Sequence, residues 1–315
     1  LCILAWGRQR TWCLRAKSAM RWMLRSMASR STTRAGVYMR CVLTDEQLLK
    51  LLHDDVPFGD LTTELLLAPN KPVQIIFTAR QDMTVCCIEE AARLFNLCGA
   101  ESELLVSSGD RVIKGTLLLK ATGCSEAIFA AWKVTQILVE WASGIASATR
   151  TLVDAAGHVP VACTRKQSPG TKALSVKAVK AGGGVMHRLG LSETILLFAE
   201  HRQFLTESPE VILQQLKIKA PEHRRVVEVH DLNDAKCWAL AGAEVLQMDK
   251  FSLADVRACH TYCQENNLPV ILAVAGGVNA NNAADYVSAG AGLLVTSAPY
   301  HAEPKDVQVT FSALK

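Results

Sequence analysis

The chain has 315 residues, half of them hydrophobic and a fifth charged, with a formal net charge of +4. That length holds two domains, or one barrel with an appendage, and no uninterrupted apolar run approaches the roughly 18 residues that would cross a bilayer. The eleven cysteines are scattered without CxxC or His-rich zinc spacing, so the expectation is a soluble cytoplasmic protein with reduced, mostly buried thiols and no membrane partner.

The charge is unevenly placed. Residues 1–40 carry eight arginines, one lysine and no acid, which leaves 25 basic residues against 30 acidic ones in the rest of the chain. A mildly acidic body argues against nucleic-acid binding by the fold itself. The leader has three readings: an Arg- and Ser-rich transit peptide, a basic arm for nucleic acid or a membrane surface, or sequence upstream of the native start, since Met39 stands just before the fold begins. The third is preferred, and residues 1–40 are set aside as a non-native or disordered basic extension.

Residues 41–148 read as an α+β domain. Thr44-Asp45-Glu46-Gln47 is a capping box that starts a helix. His53 to Thr63 is an acidic turn built by Pro57 and Gly59, with a structural role. Val73 to Ala79, Met83 to Cys87, Glu103 to Val106 and Thr116 to Ala121 read as strands, and Glu89 to Leu97 as a helix. These elements make a small sheet with helices on one face. Ser125 to Ser143 is a long helix expected to end at Ser143-Gly144-Ile145-Ala146.

From 149 to 300, β-rich runs alternate with helical patterns. The strands are expected at Val159–Cys163, Ile195–Phe198, Val226–Val229, Val245–Met248, Val270–Val274 and Leu293–Val295. That is a parallel βα array of a length suited to an incomplete barrel, and the fold class is α/β. Residues 301–315 are a C-terminal tail expected to pack back on the N-terminal domain.

Ligands of such folds sit beyond the strand C-termini. There the sequence places Thr164-Arg165-Lys166-Gln167-Ser168-Pro169-Gly170-Thr171-Lys172 and Gly182-Gly183-Gly184-Val185-Met186-His187-Arg188. Arg165, Lys166, Lys172, His187 and Arg188 converging on one mouth would take an anionic ligand; the competing reading is solvated surface charge. Glu228 and Asp249 end two strands and point into the mouth, unless each pairs with a neighbouring cation. Ala275-Gly276-Gly277 is a glycine loop expected to lead into a helix and to offer backbone N–H groups to an oxyanion. Thr296 and Ser297, after the last strand, share that task.

These stretches resemble the Thr-Arg-Lys-Thr-x-Pro-Gly and Gly-Gly-Gly-x-x-His-Arg signatures of the quinolinate phosphoribosyltransferase (nicotinate-nucleotide pyrophosphorylase) family. The closer resemblance is to its ModD branch, associated with molybdenum transport, through Pro-Gly-Thr-Lys at 169–172 and His-Arg-Leu-Gly-Leu-Ser-Glu-Thr-Ile-Leu at 187–196. The similarity runs from about Leu43 to Val309. It implies an N-terminal α+β sandwich domain joined to an open α/β barrel, and transfer from phosphoribosyl pyrophosphate. It implies further that Glu228 and Asp249 hold the ribose hydroxyls and Mg²⁺, partly through water, with Lys166 beside them as a third catalytic residue. The glycine loop would bind the 5′-phosphate, with Ala275 where the family has serine. Arg165, Lys166 and Lys172 would hold pyrophosphate or the acceptor's anion, and His187 and Arg188 the acceptor.

Two positions depart from that pattern. Lys133 stands where the family has an arginine that reaches a neighbouring subunit's site, which still implies a homodimer with shared sites. Phe198 stands where quinolinate enzymes carry a lysine. Arginine and lysine are not equivalent where a planar carboxylate is gripped, and an unpaired second carboxylate in a desolvated pocket costs several kcal/mol. The expected activity is therefore that of a pentosyltransferase acting on a small anionic or aromatic acceptor other than quinolinate. The alternatives are a carboxylating nicotinate-nucleotide pyrophosphorylase and a non-catalytic anion or nucleotide sensor.

Overall fold

The computed structural model describes residues 40–67 and 70–314; the basic extension, apart from Arg40, lies outside the described residues. Helix Asp45–Asp55 begins at the capping box, where Thr44 Oγ1 accepts from the Gln47 amide at 3.3 Å and Gln47 Oε1 accepts from the Thr44 amide at 2.9 Å. Two orphan donors of the first turn are satisfied at once. In the acidic turn, Asp60 caps the short helix Leu61–Leu66 by accepting from the Thr62 and Thr63 amides.

The first strands are β1 (Pro72–Ala79), β2 (Met83–Thr84), β3 (Glu101–Leu104), β4 (Arg111–Val112) and β5 (Leu117–Cys124). Val73, Ile75, Phe77 and Ala79 of β1 are buried in strict alternation, the period-two signature of a sheet with one covered face. Phe77 meets Phe95 of helix Ile88–Leu97 edge to face, with ring centroids 5.9 Å apart. The strand expected at Met83 to Cys87 shortens to β2, because Cys87 turns into the left-handed region at φ 59° just before that helix.

The long helix does not stop where the Ser-Gly pair predicts. It runs unbroken over Ser125–Ala156, 32 residues and about 48 Å, so the expected boundary between residues 148 and 149 falls inside one helix. Gly144 serves close approach rather than termination: a Cβ there would lie 2.4 Å from the Glu303 carbonyl oxygen. The flanking hydroxyls dock β2 and its neighbour, Ser143 Oγ accepting from the Cys86 amide and Ser147 Oγ from the Thr84 amide, each at 2.9 Å.

The second sheet contains β6 (Val161–Cys163), β7 (Val185–Met186), β8 (Ile195–Leu197), β9 (Arg225–Val229), β10 (Val245–Asp249), β11 (Ile271–Ala275) and β12 (Leu293–Thr296). All six pairings are parallel, in the order β7-β6-β12-β11-β10-β9-β8. With β7 and β8 as its two edges, this is an open barrel. Its outer face is covered by helices such as Leu232–Leu240 and Leu253–Glu265, over a core that includes Val227, Leu246, Met248, Val274 and Trp238. The inner layer is small: Ala162, Val245, Ala273, Ala275 and Val295. A short inner layer leaves the strand ends hollow. The last strand, β13 (Val307–Ala313), returns to the first sheet and pairs antiparallel with β1 from Val73↔Ala313 to Ala79↔Val307, giving the order β13-β1-β5-β3.

Candidate active site

A cavity of about 780 Å³ opens at the C-terminal ends of the parallel strands. One side is basic. Arg165 and Lys166 follow β6, and His187 and Arg188 follow β7; all four line the cavity. The His187 amide donates to the Cys163 carbonyl at 2.9 Å, which ties the two basic stretches together, and Tyr300 Oη donates to the Thr164 carbonyl at 2.8 Å from beyond β12. Burial and the neighbouring charge of Arg165 push the Arg188 guanidinium below its ordinary range. Burial, and then Arg188, lower His187 likewise, which favours the neutral imidazole. Arg165, Lys166 and Arg188 have no ion-pair partner among the described residues, so positive charge is left unbalanced at this wall.

Glu228 and Asp249 line the same cavity from the ends of β9 and β10. Burial raises the Glu228 carboxyl against the hydrogen bond it accepts from Gln247 Nε2 at 2.6 Å, and the charge of Asp249 raises it further. His230 Nε2 lies 4.0 Å from Glu228. Phe198, just past β8, stands beneath Arg188, whose guanidinium carbon is 5.2 Å from the ring centroid. That is cation–π range. His201 stacks with the same ring, with centroids 5.7 Å apart.

The glycine loop lines the cavity with Ala275, Gly276 and Gly277, the two glycines at φ 82° and 86°. A Cβ on Gly276 would meet Lys250 Cγ at 2.6 Å and Asp249 Oδ1 at 2.7 Å, whereas nothing lies within 4 Å of one on Gly277. The loop does not enter a helix directly, as the sequence suggested. Asn279 and Asn282 close turns first, and the helix is Ala283–Ser288. Thr296 Oγ1 donates to the Val278 carbonyl at 2.7 Å and accepts from the Ala298 amide at 3.0 Å, so its hydroxyl holds the loop's shape. Ser297 lines the cavity beside it.

Two expected members stand elsewhere. Lys172 is an exposed first residue of helix Lys172–Ala181 and does not line the cavity; the turn through Pro169 and Gly170 carries it away from the strand end. Lys133 is exposed on the long helix, 3.4 Å from Gln136 Oε1 and 5.8 Å from the Trp132 ring centroid. It too lies outside this chain's cavity. Residues lining the cavity that the sequence reading missed include Leu196, Gln247 and Lys250. Gln247 was recoverable, because inward Asp249 fixes the parity of β10 and brings Gln247 inward with it. Lys250 was not: it faces the cavity through a left-handed φ of 60° that no local signal announces. Cys163 is fully buried, and burial pushes its thiol up to about 12, so it is a packing residue beside the motif.

An open parallel barrel with cations set against carboxylates at its strand ends is the build of a pyrophosphorylase-type protein. The chain belongs to the quinolinate phosphoribosyl transferase family, matching its N-terminal domain over residues 60–143 and its C-terminal domain over residues 145–310. It is 45% identical over 248 residues to ModD of Rhodobacter capsulatus, covering 77% of this chain and 95% of that one. To the carboxylating nicotinate-nucleotide pyrophosphorylase of Mycobacterium leprae it is 28% identical over 263 residues, with 81% and 92% covered. Among solved structures, the nicotinate-nucleotide pyrophosphorylase of Francisella tularensis superposes with a TM-score of 0.79 at 22% identity, over 90% of this chain and all of that one. At that identity the likeness speaks for the fold.

Proposed function

We propose that the protein is a phosphoribosyltransferase that uses phosphoribosyl pyrophosphate and a small anionic or aromatic acceptor other than quinolinate. One observation carries this reading: Arg165, Lys166, His187 and Arg188 line a single cavity together with Glu228 and Asp249. Phosphoribosyl transfer passes through an oxocarbenium-like sugar, as glycoside cleavage does. It needs cations on the departing pyrophosphate, carboxylates near the ribose and a positioned nitrogen, but no nucleophilic side chain. Arg165 and Lys166 would hold the pyrophosphate, the glycine loop with Ser297 the 5′-phosphate, and Arg188 and His187 the acceptor.

The donor set suits Mg²⁺. Two carboxylates share the cavity, a sparse oxygen donor set that fits a hard ion completed by water and substrate phosphates. Glu228 and Asp249 would hold it, and when bound it would neutralise charge on the leaving pyrophosphate.

Phe198 argues against quinolinate, since the stack under Arg188 takes the place a second cation would need. A homodimer is proposed on the exposed apolar row Phe58, Leu61, Leu65 and Leu66, each more than two-thirds accessible in the single chain; a monomer by light scattering would dismiss it. The nine cysteines among the described residues are all free, which supports a reducing, cytoplasmic location. The tie to molybdenum transport rests on resemblance alone. A deletion strain with unchanged molybdoenzyme activity would remove it. The deciding assay is pyrophosphate release from phosphoribosyl pyrophosphate and Mg²⁺ against a panel of heteroaromatic acids and purine-like bases. Release with a member other than quinolinate is expected; release with quinolinate alone, or with none, overturns the reading.

A further inference from the structure

The parallel register puts three cavity residues on one rung of three neighbouring strands. Leu197 pairs with Val227, so Phe198 comes level with Glu228, and Glu228 pairs with Gln247. Strands are about 5 Å apart, so Phe198 and Gln247 flank Glu228 about 10 Å from each other. On the far side Gln247 pairs with Ala273, whose methyl group leaves room beside it.

Gln247 is only 7% exposed. Its amide nitrogen is committed to Glu228 at 2.6 Å. That bond fixes which way the amide faces, because the flipped amide would press oxygen against a carboxylate oxygen. The other end, Oε1, is buried and has no hydrogen-bond partner. Native interiors seldom leave such an acceptor unmet. Here the orphan belongs to a residue that lines the same cavity as Arg165, Lys166 and Arg188.

We propose that Gln247 is a specificity-determining residue whose Oε1 accepts a hydrogen bond from the acceptor, so that the acceptor is a heteroaromatic acid bearing a ring N–H or an exocyclic amino group on the edge away from its acidic group. This rests on the phosphoribosyltransferase reading and narrows its substrate class. The acid is taken by Arg188 and its neighbours, the ring lies against Phe198, and the donor reaches Gln247. An acceptor of the same shape without the donor leaves Oε1 unpaired, and a site built this way rejects it.

The test is equilibrium binding by calorimetry to the full chain. The probes are nicotinate, its four ring-amino isomers, and 6-oxo-1,6-dihydropyridine-3-carboxylate, which carries a ring N–H. At least one donor-bearing acid is expected to bind about tenfold or more tightly than nicotinate, and Gln247→Met, which keeps length and removes the acceptor, is expected to abolish that preference. A wild-type protein that prefers none of them overturns the assignment, as does a preference that survives in Gln247→Met. Should that variant not fold, the wild-type ranking decides alone. Donor preference that depends on Gln247, without pyrophosphate release, would uphold the contact at Gln247 as a binding subsite and sink the transferase reading on its own.

Discussion

Lys177→Met tests the fold where it supports the site. Lys177 lies on helix Lys172–Ala181, which follows the basic loop, and its side chain is 1% exposed. Its Nζ donates to Glu89 at 2.8 Å and to Glu90 at 2.6 Å, on the helix of the N-terminal layer; those side chains are 15% and 0% exposed. Burial works against the ammonium, yet the two carboxylates, Glu90 first, raise it above its ordinary range. Glu89 is held below its own range, against burial, by Lys177 and by Ser108. Removing the cation leaves two buried carboxylates with only the Val42 amide and Ser108 as donors, and breaking one partner out of such a group costs about 3–5 kcal/mol. The sign with pH follows. A depressed carboxyl contributes stability that is present above its unfolded pKa and lost as pH falls, so the variant's deficit is greatest at neutral pH and shrinks on acidification. Urea denaturation at pH 7.5 and pH 5 reads both features, as a midpoint shift of roughly 1 M or more that narrows in acid. Glu90→Gln in the same chain should recover part of it. A loss below about 1 kcal/mol, or one that grows in acid, would refute the account.

Three further outcomes are expected. Gly276→Ala, which sets a methyl group into Asp249 and Lys250 at a left-handed φ, should weaken phosphoribosyl pyrophosphate binding at least tenfold while costing about 1–3 kcal/mol in stability; isothermal titration and a thermal melt check the two parts. Phe198→Lys should raise quinolinate affinity about ten- to a hundredfold, the worth of one hydrogen bond to a charged group, and unchanged binding would remove Phe198 from the specificity argument. Because His187 is lowered by burial and Arg188, the unfolded chain binds the extra proton first, so stability should fall as pH drops below about 6.5. In His187→Gln that part of the acid-side loss should vanish from the urea midpoints.

What the residues alone determined was local and periodic. The capping box before Gln47, the alternation of β1 and the βα rhythm after residue 149 depend on neighbours in sequence, and each yielded an element near its true bounds. The basic motif and the strand-ending carboxylates were legible too, because the inward-facing residues at a parallel strand's C-terminal end reach the mouth wherever the strand sits. What the tertiary structure decided was everything set by approach between distant segments. Gly144 looked like a stop and is a passage for the backbone at Glu303; Lys172 looked like a ligand and is turned outward by its loop. Lys177, an ordinary helix lysine in sequence, is buried between two glutamates eighty-odd positions away. Spacing along a chain fixes which face a residue takes, but only packing fixes what stands opposite it.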